Sequence, residues 1–465
     1  MNTPVTVVIL AAGLGTRMKS RRAKVLHQAG GRTLVEHTVD TALSLATPDR
    51  VFVVVGHQAA QVKSTVEGRG VRFIHQTEHK GTGHALIAGR ELLAPLGGLL
   101  VVYYGDCPLI PAAVLASLID HQEHSKAAAT LVSAELEDPT GYGRVIRDSG
   151  GQVLEVIEQK AGTPAQLAIR EANVGIYCFQ AGPFWQHIDE LGTNNPAREY
   201  YLTDMVGILI RAGHTVDAFR AGNPMELLGI NNRVELAAAD RTFRERKVRE
   251  LMLAGVTVEK PETVSVDDSV AIGIDTVIEP FAQILGKTKI GEACRIGACS
   301  IVRDSELADS VQVAPFTMIN TSRVAAGAYI GPYARLRLEN DIAPGAHIGN
   351  FVELKKTRLG AGAKAMHLAY LGDSVIGENV NVGAGTITCN YDGRAKHQTK
   401  IGNGVFVGSN ATLVAPVEIG DGAYLAAGSV ITDPVPVDAL ALGRARQVNK
   451  PDWARKRREK TRTKS

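Results

Sequence analysis

Between residues 401 and 432 an aliphatic side chain recurs at every sixth position: Ile401, Val407, Leu413, Ile419, Leu425 and Ile431. Small residues follow in Ile401-Gly402, Val407-Gly408, Ile419-Gly420 and Leu425-Ala426. Ile272, Ile278, Ile284, Ile290 and Ile296 keep the same spacing, and Ile330-Gly331, Ile348-Gly349, Ile376-Gly377 and Val382-Gly383 lie between the two runs. A period of six matches neither an amphipathic helix nor a heptad. It matches a parallel β-helix, in which each hexad makes one flat side, buries one aliphatic side chain and turns at a small residue. Three hexads close a turn, so residues 256–442 predict roughly ten coils.

The first 230 residues follow a different rhythm. Short aliphatic runs at Val5–Leu10, Val51–Val55 and Leu99–Tyr103 alternate with helical stretches such as Leu34–Leu45, the βαβ pattern of a mostly parallel sheet covered on both faces. Asn231–Ala254 is rich in Arg, Glu and Ala, contains no Pro or Gly, and carries Leu236, Phe243, Val248 and Leu251. It predicts a connecting helix ended by Gly255. The expected organisation is an α/β domain over 1–230, the helix over 231–254, a β-helix over 255–449 and a basic end over 450–465. A chain of 465 residues is long enough for two cores.

The formal charge of +3 conceals a basic end, because residues 450–465 hold eight Lys or Arg against Asp452 and Glu459. No aromatic residues interleave in the pattern of a nucleic-acid module, so this end reads as solvated and disordered, with no nucleic-acid partner. Cys107, Cys178, Cys294, Cys299 and Cys389 form no CxxC pair and are odd in number, which points to reduced thiols in a cytoplasmic protein. Cys389 has no neighbour that would activate a thiolate. Val5–Leu10 is too short for a membrane span and lacks a basic leader, so no membrane association is expected.

Strand one runs into Leu10-Ala11-Ala12-Gly13-Leu14-Gly15-Thr16-Arg17-Met18. Glycines at such a point let backbone amides approach a phosphate chain. The third glycine of a dinucleotide fingerprint and the GK[ST] of a P-loop are both missing. Arg17, Lys24 in Ala23-Lys24-Val25-Leu26, and Tyr104-Gly105-Asp106 after the third strand add two cations for a triphosphate and a carboxylate able to hold Mg²⁺. In the repeat half the largest interruption is Thr388–Lys400, where Cys389-Asn390-Tyr391-Asp392-Gly393 forces out a loop. Upstream lie Phe351-Val352-Glu353-Leu354-Lys355-Lys356 and Met366-His367-Leu368-Ala369-Tyr370. A His near Glu, Lys and Asn supplies the base and donors that acyl transfer to an amine requires.

The LAAGxGTRM, lysine and YGDxPL segments resemble those of the sugar-1-phosphate nucleotidyltransferases. With the hexads, nearly the whole chain to about residue 449 resembles the bifunctional bacterial family that joins N-acetylglucosamine-1-phosphate uridyl transfer to glucosamine-1-phosphate acetyl transfer. The resemblance implies a Rossmann-like nucleotidyltransferase domain followed by a left-handed β-helix, homotrimeric assembly, Mg²⁺, and the substrates UTP, N-acetylglucosamine-1-phosphate, glucosamine-1-phosphate and acetyl-CoA. It implies that Leu10, Ala11, Ala12, Gly13 and Lys24 bind UTP and that Gln76, Gly81 and Thr82 read uracil. Gly143, Glu158, Asn173 and Asn231 would surround the sugar nucleotide, with Asp106 and Asn231 as metal ligands.

In the second half the resemblance implies His367 as general base, Arg337 and Lys355 on the sugar phosphate, and Tyr370 and Asn381 around the amino sugar. Ala384, Asn390, Tyr391, Ser409, Ala427 and Arg444 would form the acetyl-CoA site. Glu353 is expected to orient His367. Two departures stand out: Ala23 and Leu338 occupy positions where the family usually has Pro, which is expected to loosen each loop locally. The competing readings are a monofunctional nucleotidyltransferase with a structural or regulatory β-helix, opposed by His367, Asn390-Tyr391 and Arg444, and an inert scaffold, opposed by Arg17, Lys24 and Asp106.

Overall fold

The computed structural model describes residues 3–462, and the chain divides into two compact units, with the boundary between Arg244 and Glu245. In the first unit seven strands follow the order Val216–Arg220, Ala129–Glu135, Glu171–Gln180, Leu99–Tyr104, Val5–Leu10, Val51–Val55 and Arg72–His75. All neighbours pair in parallel except Glu171–Gln180, which is antiparallel to both strands beside it. Val51–Val55 is buried at every residue, the all-apolar signature of a parallel strand covered on both faces. The helix Leu34–Leu43 starts at a capping box in which Thr33 and Glu36 satisfy each other's backbone N–H.

The helix expected over 231–254 spans Arg233–Leu253. Asn232 starts it, its Oδ1 accepting from the N–H groups of Val234 and Glu235 at 2.9 and 3.0 Å. Phe243 packs within the first unit's core, whereas Val248 and Leu251 belong to the core of the second.

The second unit is the parallel β-helix that the hexads predict. One face is an eleven-stranded ladder from Thr257–Val258 to Leu440–Ala441, and the other two faces share a continuous seventeen-stranded sheet. Ile401, Val407, Leu413, Ile419, Leu425 and Ile431 are all buried, none more than 5% exposed. A polar file runs through the same interior: Ser322 N–H donates to Ser305 Oγ, Asn340 Nδ2 to Ser322 Oγ, and Thr357 N–H to Asn340 Oδ1, each at 3.1 Å. Stacked coils place these groups in line, so each buried donor meets the acceptor of the coil before. The ladder register jumps from Lys364↔Asn381 to Asn381↔Phe406, and the excess chain forms the loop whose tip pairs Tyr391 with Lys396.

The basic end departs from the expectation of disorder. Trp453–Arg462 is an α-helix whose residues are all exposed. Ala, Arg, Lys and Glu are strong helix formers, and Arg457 lies over the Trp453 ring at 5.2 Å, one helical turn on. Residues 463–465 of that end lie outside the described residues.

Candidate active sites

The glycine loop depends on Gly15. Its φ is +62°, and a Cβ there would stand 2.6 Å from Lys24 Cβ, so a side chain is excluded both by conformation and by the lysine it supports. Beneath the loop a cavity of about 440 Å³ is lined by Leu10, Ala11, Ala12, Gly13, Gln76, Gly81 and Thr82. Gly143, Glu158 and Asn173 line a second cavity of about 370 Å³, together with Tyr142 and Glu235. Five residues line both: Arg17, Lys24, Tyr104, Asp106 and Asn231. Gly105 lines neither; its N–H donates to Leu10 O at 2.9 Å and ties the ends of the two central strands together.

At this seam the Lys24 ammonium pairs with the Asp106 carboxylate and donates to Asn231 Oδ1 at 2.8 Å. The side chains of Lys24 and Asp106 are only 12% and 20% exposed. A cation thus already sits between the two oxygen donors expected to hold a metal. A carboxylate and an amide oxygen are hard ligands of the kind Mg²⁺ takes when phosphates and water complete its shell, so the pair fits that ion. Asn231 is held in turn by Glu235 Oε2, which accepts its N–H at 2.6 Å, and by Gly229 O, which accepts its side-chain N–H at 2.9 Å.

In the first cavity Gln76 is buried, and its Nε2 donates to Gly81 O at 3.0 Å and to His84 Nδ1 at 3.2 Å. A glutamine amide offers one donor and one acceptor, and here the donor is engaged within the chain, which leaves the acceptor Oε1. In the second cavity Glu158 accepts from Thr203 Oγ1 at 3.1 Å, and burial pushes its carboxyl above the usual range. Asn173 donates to Tyr177 Oη at 2.6 Å and accepts from Gly175 N–H at 3.2 Å. Gly175, at φ +79°, makes room for Tyr104, whose ring would lie 2.1 Å from any Cβ there. Thr203 and Glu235 escaped the sequence reading because an isolated Thr or Glu carries no local signal. Ala23 is not loosened: it is buried, and Gln58 Oε1 accepts its N–H at 2.7 Å.

In the β-helix the strands Arg335–Ile342, Glu353–Lys355 and Tyr370–Gly372 stack in successive coils, setting Arg337 opposite Lys355 and Glu353 opposite Tyr370. Lys355, 7% exposed in its side chain, lies 3.6 Å from Asp373, and Asn390 donates to the same carboxylate and to Tyr370 Oη at 3.5 Å. Lys396 from the inserted loop stands beside Lys355, and this second ammonium holds the Lys396 amine below its usual value. Asp373 and Lys396 were absent from the sequence reading, although Lys396 falls inside the phase break.

Glu353 does not orient His367. Its Oε1 accepts from Arg337 Nε at 2.6 Å, and Arg335 approaches at 3.7 Å. His367 belongs to the eleven-stranded face, around the corner at Leu368 (φ +51°), and there its register partner is Asn350, whose Oδ1 lies 2.9 Å from His367 Nδ1. Leu338, at φ +59°, takes a conformation closed to proline. Further along, Asn410 N–H donates to Ala384 O at 2.7 Å and Gly428 N–H to Ser409 O at 2.8 Å, so Ala384, Ser409 and Ala427 occupy neighbouring corners of successive coils. Arg444 reaches the last of these, its Cδ 3.8 Å from where a Gly428 Cβ would lie. Asn381 is exposed beside this corner, and Tyr391 is 60% exposed on the loop.

Residues 7–171 match the family model of the MobA-like NTP transferase domain, and residues 269–304 and 398–433 match that of the bacterial transferase hexapeptide. A protein of Solibacter usitatus named "Bifunctional protein GlmU" is 65% identical, the alignment covering 100% of this chain and 99% of the relative. The protein of that name from Koribacter versatilis is 49% identical, with 98% of each chain covered. That from Shouchella clausii is 45% identical over 97% of this chain and 98% of its own. An α/β nucleotidyltransferase unit, a hexapeptide β-helix and full-length identity of this order together establish that the chain belongs to the bifunctional GlmU family.

Proposed function

We propose that the chain makes UDP-N-acetylglucosamine in two steps, acetyl transfer from acetyl-CoA to glucosamine-1-phosphate and then uridyl transfer from UTP with release of pyrophosphate. The carrying observation is that two cavities meet at Arg17, Lys24, Tyr104, Asp106 and Asn231, which suits a nucleotide on one side and a sugar phosphate on the other. A sugar-phosphate oxygen then attacks the α-phosphorus in line, and no covalent nucleophile is needed. Arg17 and Lys24 offset the growing charge on the phosphates, and the Gly13 segment supplies backbone donors. Gln76 Oε1 accepts the imide N–H of uracil, with Gly81 and Thr82 beside it. Gly143, Glu158 and Asn173 hold the sugar. Mg²⁺, when bound by Asp106 and Asn231, neutralises phosphate charge.

For acetyl transfer, His367 removes the proton of the attacking amine while Asn350 holds the other ring nitrogen. Arg337, Lys355 and Lys396 supply positive charge for the sugar phosphate, and Tyr370, Asn381 and Asn390 surround the amino sugar. The Ala384, Ser409 and Ala427 corners, with Tyr391 and Arg444, receive acetyl-CoA. A homotrimer in the cytoplasm is the state in which neighbouring chains complete this site. An exposed aromatic file supports assembly: Phe316, Tyr333 and Phe351 stack at 5.0 and 5.3 Å, continuing toward Leu368 beside His367. Among the described residues no helix is long and apolar enough to cross a membrane.

The test supplies purified chain with glucosamine-1-phosphate, acetyl-CoA, UTP and Mg²⁺ and identifies products by mass. Asp106→Ala is expected to accumulate N-acetylglucosamine-1-phosphate, because removing a metal-centred term costs several kcal/mol of barrier in uridyl transfer alone. UDP-N-acetylglucosamine formed at the wild-type rate by folded Asp106→Ala would refute the assignment.

A further inference from the structure

Lys24 sits at the junction of both cavities of the first unit, and the two residue steps before it are held by one side chain from another element. Gln58 Oε1 accepts the N–H of Ala23 at 2.7 Å, and Gln58 Nε2 donates to Arg21 O at 2.9 Å. The amide therefore fixes the approach to Lys24 from both sides of Arg22. Gln58 begins the helix Ala59–Val66 from a left-handed conformation, φ +53°, which is uncommon for a side chain of its kind. That helix follows Val51–Val55, the fully buried strand beside Val5–Leu10, so the clamp is anchored next to the buried centre of the sheet. Ala23 itself is 1% exposed with φ −55° and ψ 139°, and its N–H is satisfied by the glutamine side chain.

We propose that Gln58 is a positioning residue for uridyl transfer: by clamping Arg21 and Ala23 it holds Lys24 against Asp106 and Asn231, where the phosphates react. This inference rests on the role given to Lys24 above. A displacement of about 1 Å at such a group lowers turnover by up to roughly 10²-fold.

The experiment uses the full chain and measures uridyl transfer, acetyl transfer and melting temperature on each preparation. Gln58→Gly removes the clamp and relaxes the left-handed backbone, so the helix start is preserved. It is expected to lower uridyl kcat/KM by roughly 10- to 100-fold with acetyl transfer unchanged, and Gln58→Ala is expected to show the same pattern. Ala23→Pro is the decisive partner. The φ of Ala23 lies within the range of proline, which needs no acceptor, so Gln58→Gly with Ala23→Pro is expected to recover to within about threefold of wild type. Ala23→Pro alone, with its ring pressed on Gln58 Oε1, is expected to lose activity. Two losses that combine into a recovery are the mark of a clamp on Ala23, and a general packing role would not produce them. Normal uridyl transfer in Gln58→Gly, alongside an inactive Lys24→Ala, would overturn the proposal, as would a loss that Ala23→Pro fails to restore. Full uridyl transfer in Lys24→Ala would instead overturn the role of the lysine, and this inference with it.

Discussion

Asn350 is the residue through which the role of His367 can be measured without removing it. Its Oδ1 lies 2.9 Å from His367 Nδ1, so with Nδ1–H as donor the Nε2 lone pair remains for the substrate amine. Asn350→Ala removes one hydrogen bond between uncharged groups on a solvent-accessible part of the coil. Such a bond contributes about 0.5–1.5 kcal/mol, which is roughly a 2- to 12-fold loss in acetyl transfer. His367→Ala, which removes the base itself, is expected to cost roughly 10²–10⁴-fold. Asn350→Asp tests the sign: a negative charge beside the ring favours its protonated form, and a base works only unprotonated, so the acidic limb of the pH–rate profile is expected to move to higher pH. The assay is acetyl transfer between pH 5 and 9, with uridyl transfer and melting temperature as controls on the same samples. Wild-type rates in Asn350→Ala together with an unmoved limb in Asn350→Asp would refute the pairing.

Glu353→Gln is expected to raise KM for glucosamine-1-phosphate, since Arg337 loses the carboxylate that accepts from its Nε at 2.6 Å, while the pH profile stays in place; a shifted profile would return Glu353 to the histidine. UTP is expected to exceed CTP in kcat/KM by roughly 10²–10⁴-fold, because the free Gln76 acceptor meets the imide N–H of uracil but a lone pair of cytosine. Comparable constants for the two nucleotides in a competition assay would exclude base reading by Gln76.

The aliphatic hexads were enough to specify a β-helix, because a period of six can bury one side chain per flat side in no other regular structure. The βαβ rhythm, the helix Arg233–Leu253 and the segments bearing Arg17, Lys24, Asp106 and His367 were equally legible, since each depends on contacts within one stretch of chain or on a local motif. What remained hidden is set by register between coils and by packing between distant elements. Glu353 and His367 are close in sequence and both polar, yet they lie on different faces, either side of the corner turned by Phe351 in one coil and Leu368 in the next, so Arg337 takes the one and Asn350 the other. The helix at the basic end rests on ordinary helix propensity that a reading by charge alone discounts. Gln58 and Thr203 become visible only once the sheet brings them to Ala23 and Glu158, because a side chain 35 or 45 residues away leaves no mark on the local pattern. The sequence by itself determined the two folds and the chemical groups available to them; the tertiary structure decided which groups face one another, since hydrogen bonds and ion pairs act over a few ångströms of space whatever the separation along the chain.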